Sequence, residues 1–180
     1  YNKWQKKMTE CGSPMKPGYA PDIPFPVDTI LSVIGTDKYP KPSQADTDAT
    51  EKLYREIVGE LLWVARMCMP MILLAVSQES RVVSVAGKKH LDLCIQTLQF
   101  AHRHKDKGIR FRSDGCDKLL AAYDSADNPD PKDGKSQFGY SIILFDGPID
   151  AVSKKTPRVG TSTTHNEYIA MAECARRLRF

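Results

Sequence analysis

The chain is poor in the residues that build small closed sites. It has five cysteines, Cys11, Cys68, Cys94, Cys116 and Cys174, widely spaced and with no C-x-x-C pair. An odd, scattered set excludes a disulfide framework and a cysteine zinc site, and reads as reduced, structural thiols. Histidine is scarcer. Three of the four lie between positions 90 and 104, and His102 and His104 are two apart, a spacing that does not share a helix face. Long apolar runs are also lacking. The longest, LLWVARMCMPMILLAV over 61–76, is interrupted by Arg66 and Pro70 and falls short of the about 20 residues a bilayer requires. It predicts buried helix and no membrane span. There is no initiator Met and no signal peptide, and the opening Tyr-Asn-Lys-Trp predicts a processed product or a fragment. Charge of one sign is in slight excess only. A net +4 permits nucleic-acid binding without requiring it. There is no internal repeat, and nothing in the residues points to a compartment.

What is present divides into three parts. Residues 1–47 hold seven of the twelve prolines. Proline fixes φ and lacks an amide donor, so this part predicts a Pro-rich extended arm, with TILSVIG (29–35) as a short strand. Residues 48–107 predict a helical region. Asp48-Ala-Thr-Glu51 is a capping-box pattern, and Leu53, Ile57, Val58, Leu61, Leu62 and Ala65 follow at helical spacing. Pro70 ends or kinks that helix, 71–82 makes a second, and about 86–104 a third. Residues 108–180 change period. IRFR, KLLAAYD, GYSIILFDG and IDAVSKK predict an antiparallel meander, with turns at Asp114-Gly115 and Gly147-Pro148, and a last helix runs from about Thr164. The class is α+β, helices first and a small sheet with one helix after.

Two features carry chemistry. Lys88, Lys89, Arg103, Lys105, Lys107 and Arg110, with Lys154 and Lys155 further on, form either a solvated basic face or a phosphate-contacting surface. The second feature is AAYDSADNPDPKDG, which crowds Asp124, Asp127, Asp130 and Asp133 into one turn region. Crowded carboxylates raise one another's pKa, so either a metal takes up the charge or the loop is solvated. Glu167, in Thr164-His-Asn-Glu167, fits a capping box. From residues alone Asp124 ends a strand and Glu167 caps a helix.

Three blocks resemble the polyprotein of copia-type LTR retrotransposons. YREIVGELLWVARMCMPMILLAVS (54–77) is similar to the helical segment after the reverse-transcriptase palm, with Met-Pro-Met-Ile where that family has R-P-D-I. The helix 86–104 followed by GIRF is similar to the next helix and strand. The stretch from AAYDSAD through GYSIILFDGPIDAVSKK to THNEYIAMAE resembles the start of the family's ribonuclease H, typically Y-S-D-A-D-W, S-G-Y, P-I-x-W-x-S-K-K and E-A-E-Y-I-A. The resemblance implies a partial ribonuclease H-like sheet. It implies Asp124 and Glu167 as ancestral catalytic positions and magnesium ligands, with Asp127, Asp130 and Asp133 as ordinary loop acids. The ungapped spacing to Gly139-Tyr140 selects Asp124 for the first position; matching the local pattern selects Ser125 and takes one deletion.

Such sites hold two magnesium ions that activate water and stabilise the leaving oxygen. The family needs two further Asp on a later strand and helix, and Phe180 falls inside or just after the first helix, so the acid set is expected to be incomplete. No Y-x-D-D occurs, and the Trp after the first Asp pair is absent. Two functions follow as expectations. One is a catalytically incomplete, recruited structural or interaction subunit, partnered by other proteins of a larger assembly and needing no cofactor. The other is a fragment of an active reverse transcriptase/ribonuclease H that cleaves the RNA of RNA–DNA hybrids with magnesium. A weaker third is a nucleic-acid-binding module whose affinity falls steeply with salt.

Overall fold

The structure, a computed structural model, describes residues 2–10, 21–25, 47–126 and 129–179. The expected strand at 29–35 and Asp127 lie outside the described residues, and the helix expected to start near Asp48 begins at Thr47. The chain separates into two compact units, Tyr1–Gly108 and Ile109–Phe180, and it is α+β as expected. Among the described residues no helix is long and apolar enough to cross a membrane.

The first unit is helical. The arm 1–47 corrects the expectation of an extended segment at its start: Asn2–Glu10 is a helix, α1. The reason is local, because every proline of the arm comes after position 13. α1 is fixed to α2 (Thr47–Met67) by charge. Lys7 Nζ lies 2.8 Å from Glu56 and 2.9 Å from Glu60, Lys3 Nζ is 2.5 Å from Glu60, and the Trp4 indole donates to Glu60. Burial pulls the Lys7 ammonium down, but its two carboxylate partners outweigh this and hold it above its usual value.

Pro70 occupies the first position of a 3-10 turn, Pro70–Ile72, where its missing amide is harmless. α3 (Leu73–Ser80) and α4 (Lys88–Arg103) follow. Tyr54, Ile57, Leu61, Ile72, Val76 and Leu98 are buried and form the core of this unit. Each such aliphatic side chain contributes about 1.5–3 kcal/mol. The 16-residue α4 is amphipathic, with Leu91, Cys94, Ile95, Leu98 and Ala101 turned inward.

The second unit is a three-stranded antiparallel sheet in the order β1-β2-β3, closed by one helix. β1 is Leu120–Ala126, β2 Gln137–Leu144, β3 Gly147–Lys155 and α5 Thr163–Arg177. The meander was expected; two of its details are corrected. IRFR (109–112) is not a strand. Its backbone wraps the β2–β3 turn instead, with the Arg112 amide donating to Phe145 O and the Phe145 amide to Cys116 O. That turn sits on Phe145-Asp146, both at positive φ (51° and 62°), the twist a two-residue hairpin demands. Gly147-Pro148 then starts β3 instead of turning.

Candidate functional site

In a strand, successive side chains alternate between faces, and residues directly opposite on neighbouring strands share a face. β1 pairs with β2 so that Ser125 faces Phe138, Tyr123 faces Tyr140 and Ala121 faces Ile142. β2 pairs with β3 so that Phe138 faces Lys154 and Ile142 faces Asp150. This set is the face that α5 covers. Phe138 and Ile142 are buried, together with Ile169, Ala170 and Cys174 of α5. Arg177 of α5 donates to Asp150 at 2.6 Å. Asn166 of α5 donates to Ser136 Oγ at 3.1 Å, just before β2.

Asp124 belongs to the alternate set. Its partner across β2 is Gly139, and Gly139's partner on β3 is Ser153. The Asp124 carboxylate is exposed, with no side chain opposite it, and it accepts the amide of Ser125 at 2.8 Å. Ser125 is the β1 residue turned toward α5, and its Oγ is buried.

Glu167 is exposed on α5, one residue past the buried Asn166. It does not cap the helix. Ser162 is the N-cap and accepts the His165 amide at 3.1 Å, while the His165 ring accepts the Thr161 amide at 3.2 Å. The capping-box reading of Glu167 is thereby corrected, because the helix starts before Thr164. The two expected acids are thus on different sides of the sheet. Among the described residues no group of three or more His, Cys, Asp or Glu is placed to hold a metal ion.

The turn acids are not ordinary loop acids throughout. Asp130 is 2% exposed and is ion-paired with Lys155. Its carboxylate accepts the Lys132 amide at 2.9 Å, and its carbonyl accepts the Gly134 amide at 2.7 Å. Lys155 also reaches Asp133 at 3.0 Å. Burial pushes the Asp133 carboxyl up, but Lys155 outweighs it and the net direction is down. Sequence reading missed Asp130 as the anchor of this turn. The Asp-x-Lys spacing, which lets a side chain accept an amide two residues on, was the available signal.

Within the first unit the basic residues do not form one patch. Lys88 and Lys89 open α4, while Arg103 closes it and Lys105 and Lys107 follow. A 16-residue helix separates them by about 24 Å. Arg103 lies 3.4 Å from Asp22. Arg110 lines a cleft of about 500 Å³ with Phe111, Arg112, Ser113 and Asp114. Lys154 is exposed, its ammonium 5.6 Å from the Phe138 ring centroid, and Lys155 is held by the two turn acids.

Comparison with known proteins places the sequence. It is 33% identical over 135 residues to the retrovirus-related Pol polyprotein from transposon RE1 of Arabidopsis thaliana, covering 74% of this chain and 9% of that protein. It is 31% identical over 126 residues to the corresponding polyprotein from transposon TNT 1-94 of Nicotiana tabacum, 69% of this chain and 9% of that protein. It is also 26% identical over 123 residues to the secreted RxLR effector protein 161 of Plasmopara viticola, 68% of this chain and 87% of that protein. No family model matches, and no solved structure matches.

Proposed function

We propose that this chain, related over about 70% of its length to the retrovirus-related Pol polyproteins of copia-type transposons, is a ribonuclease H-like derivative without a working metal site. Its role is that of a structural or interaction element in a larger assembly. The observation that carries this reading is the register of β1. Two-metal hydrolysis needs carboxylates that converge on the same pair of ions, and magnesium needs near-octahedral oxygen ligands. Here Asp124 is on the face away from α5, which bears Glu167, and the helix-side position belongs to Ser125. A serine hydroxyl is a neutral, weak ligand and does not replace a carboxylate.

Two further observations support an interaction role. Among the described residues no strand lies on the outer side of β1, and an open edge of that kind is a template for another chain. The region also matches nearly all of a much shorter relative, the secreted effector, which supports its standing alone outside a polyprotein. The ribonuclease H-like part of the reading rests on the order of elements: an antiparallel meander, then a helix packed on it, carrying the sequence blocks that resemble the family.

The test is direct. The purified chain is incubated with a labelled RNA–DNA hybrid and millimolar magnesium. No cleavage is expected, and magnesium titration by calorimetry should show no saturable site. Magnesium-dependent cleavage that disappears in Asp124→Asn would overturn the proposal and restore the nuclease. Native mass spectrometry of the protein from its source then reads the assembly.

A further inference from the structure

The most unusual buried group of the first unit is Glu79, at the end of α3. It is 0% exposed, and its Oε2 is buried with no hydrogen-bond partner among the described residues. Its Oε1 lies 2.5 Å from Thr97 Oγ1 of α4. The same hydroxyl lies 2.9 Å from the carbonyl oxygen of Pro24 and 3.5 Å from that of Leu93. A hydroxyl carries one hydrogen and can donate once. The contacts of this hydroxyl to Glu79 and to Pro24 are therefore both hydrogen bonds only if one of the two partners brings a proton of its own. Pro24 O cannot, and a protonated Glu79 can.

The surroundings favour the neutral acid. The groups that act on this carboxyl are Thr97 and the Cys94 thiol, both on α4. From α2, Tyr54 donates its hydroxyl to the Glu79 backbone carbonyl at 2.8 Å. His90, the other buried titratable group at the start of α4, accepts the Gly87 amide at its Nδ1. No Lys or Arg pairs with Glu79 among the described residues. An ionised, unpaired carboxylate in such a place is expensive. Burial accordingly pushes the Glu79 carboxyl up to about 7, against the opposing pull of Thr97 and Cys94.

We infer that the Glu79 proton is a latch that holds residues 21–25 against α4. With the proton in place, Glu79 donates to Thr97 Oγ1 and Thr97 donates to Pro24 O. When the proton leaves, the carboxylate takes the Thr97 hydrogen and the Pro24 carbonyl loses its donor. Among the described residues the rest of the attachment is light. Gln96 donates to Ile23 O at 3.2 Å, and Arg103 lies 3.4 Å from an Asp22 that is almost fully exposed. Thr97 is the buried contact of the three, so segment 21–25 is set to loosen in mildly alkaline conditions and to close in mildly acidic ones. One lost hydrogen bond of ordinary worth shifts such an equilibrium about fivefold.

The test follows two carbon signals of the intact chain by NMR from pH 5 to pH 9, the Glu79 carboxyl and the Pro24 carbonyl. Both are expected to titrate with one midpoint near 7. In Glu79→Gln the amide donates to Thr97 at every pH, so the Pro24 signal should stay at its low-pH position throughout. Thr97→Val is the second variant: it removes the donor, so the Pro24 signal should start and stay at its high-pH position while Glu79 still titrates. A Pro24 signal that stays flat through the Glu79 midpoint overturns the latch. So does a Glu79 midpoint near the ordinary 4.5.

Discussion

Ser125 lies directly opposite Phe138, and that one pairing turns Asp124 away from α5. A strand has no intermediate orientation, since a shift of one residue moves every side chain to the other face. The buried Phe138 and Ile142 fix the register, so the position of Asp124 follows from packing and not from its own chemistry.

Exposure at Asp124 and burial at Ser125 Oγ predict opposite responses. Asp124→Asn should change stability by no more than about 0.5 kcal/mol, as surface changes do. Ser125→Asp places a charge on the covered face and should lose about 2 kcal/mol. Urea denaturation of the two variants reads the difference. Equal effects would mean the register is wrong.

The Asp130–Lys155 pair predicts an asymmetric pattern. Lys155→Met deprives a buried carboxylate of its cation and should lose about 3 kcal/mol. Asp133→Asn removes the more exposed partner and should lose about 1 kcal/mol or less. Thermal melts compare them, with the larger drop expected for the lysine.

Gly160 sits against a buried amide. A Cβ there would come 1.8 Å from Asn166 Oδ1, so Asn166 must swing away and give up its bond to Ser136 Oγ. Gly160→Ala should lose about 2 kcal/mol. A melting temperature equal to that of the wild type would show that the loop yields without strain.

Glu79 also predicts a pH slope for the helical unit. Its folded pKa, about 7, is above the ordinary 4.5, so the native state holds the proton more tightly than the unfolded chain does. The associated stability is fully present below about pH 4.5, declines as pH rises and is gone above about pH 7. His90, His102 and His104 act in the opposite sense, because burial lowers their pKa values. The informative quantity is therefore wild type minus Glu79→Gln, measured by denaturation at pH 5 and pH 8. The wild type should lose stability relative to the variant on going to pH 8.

Much of the fold was legible because it is written in periods. The stripe of α2 buries Ile57, Val58, Leu61 and Ala65 as expected, with Leu53 and Leu62 half-buried, and the inner face of α4 buries Leu91, Ile95 and Leu98. The failures share a cause, which is that partners outside the window decide. IRFR alternates like a strand, but its bonds go to the Phe145 turn. Glu79 follows Ile72 and Val76 at helical spacing, so its inward position was readable, yet an acid is not ordinarily placed in a core. The face taken by Asp124 depends on which β2 residue stands opposite. A one-residue choice of that kind is invisible to spacing along one strand.

The two edges of the small sheet are unlike. β3 carries Pro148, an irregularity in its pairing between Ile142 and Ile143, and Lys154 and Lys155 near its end, all features that discourage a newcomer. β1 has neither proline nor lysine, and Asp124 is its only charge. Among the described residues the sheet is therefore monovalent: it has one usable side for adding a strand. Two copies meeting antiparallel along β1 would close about a two-fold axis, and neither would have a further side on which to propagate. Growth by this route would stop at a pair, whereas a sheet open at both edges would run on into a fibre.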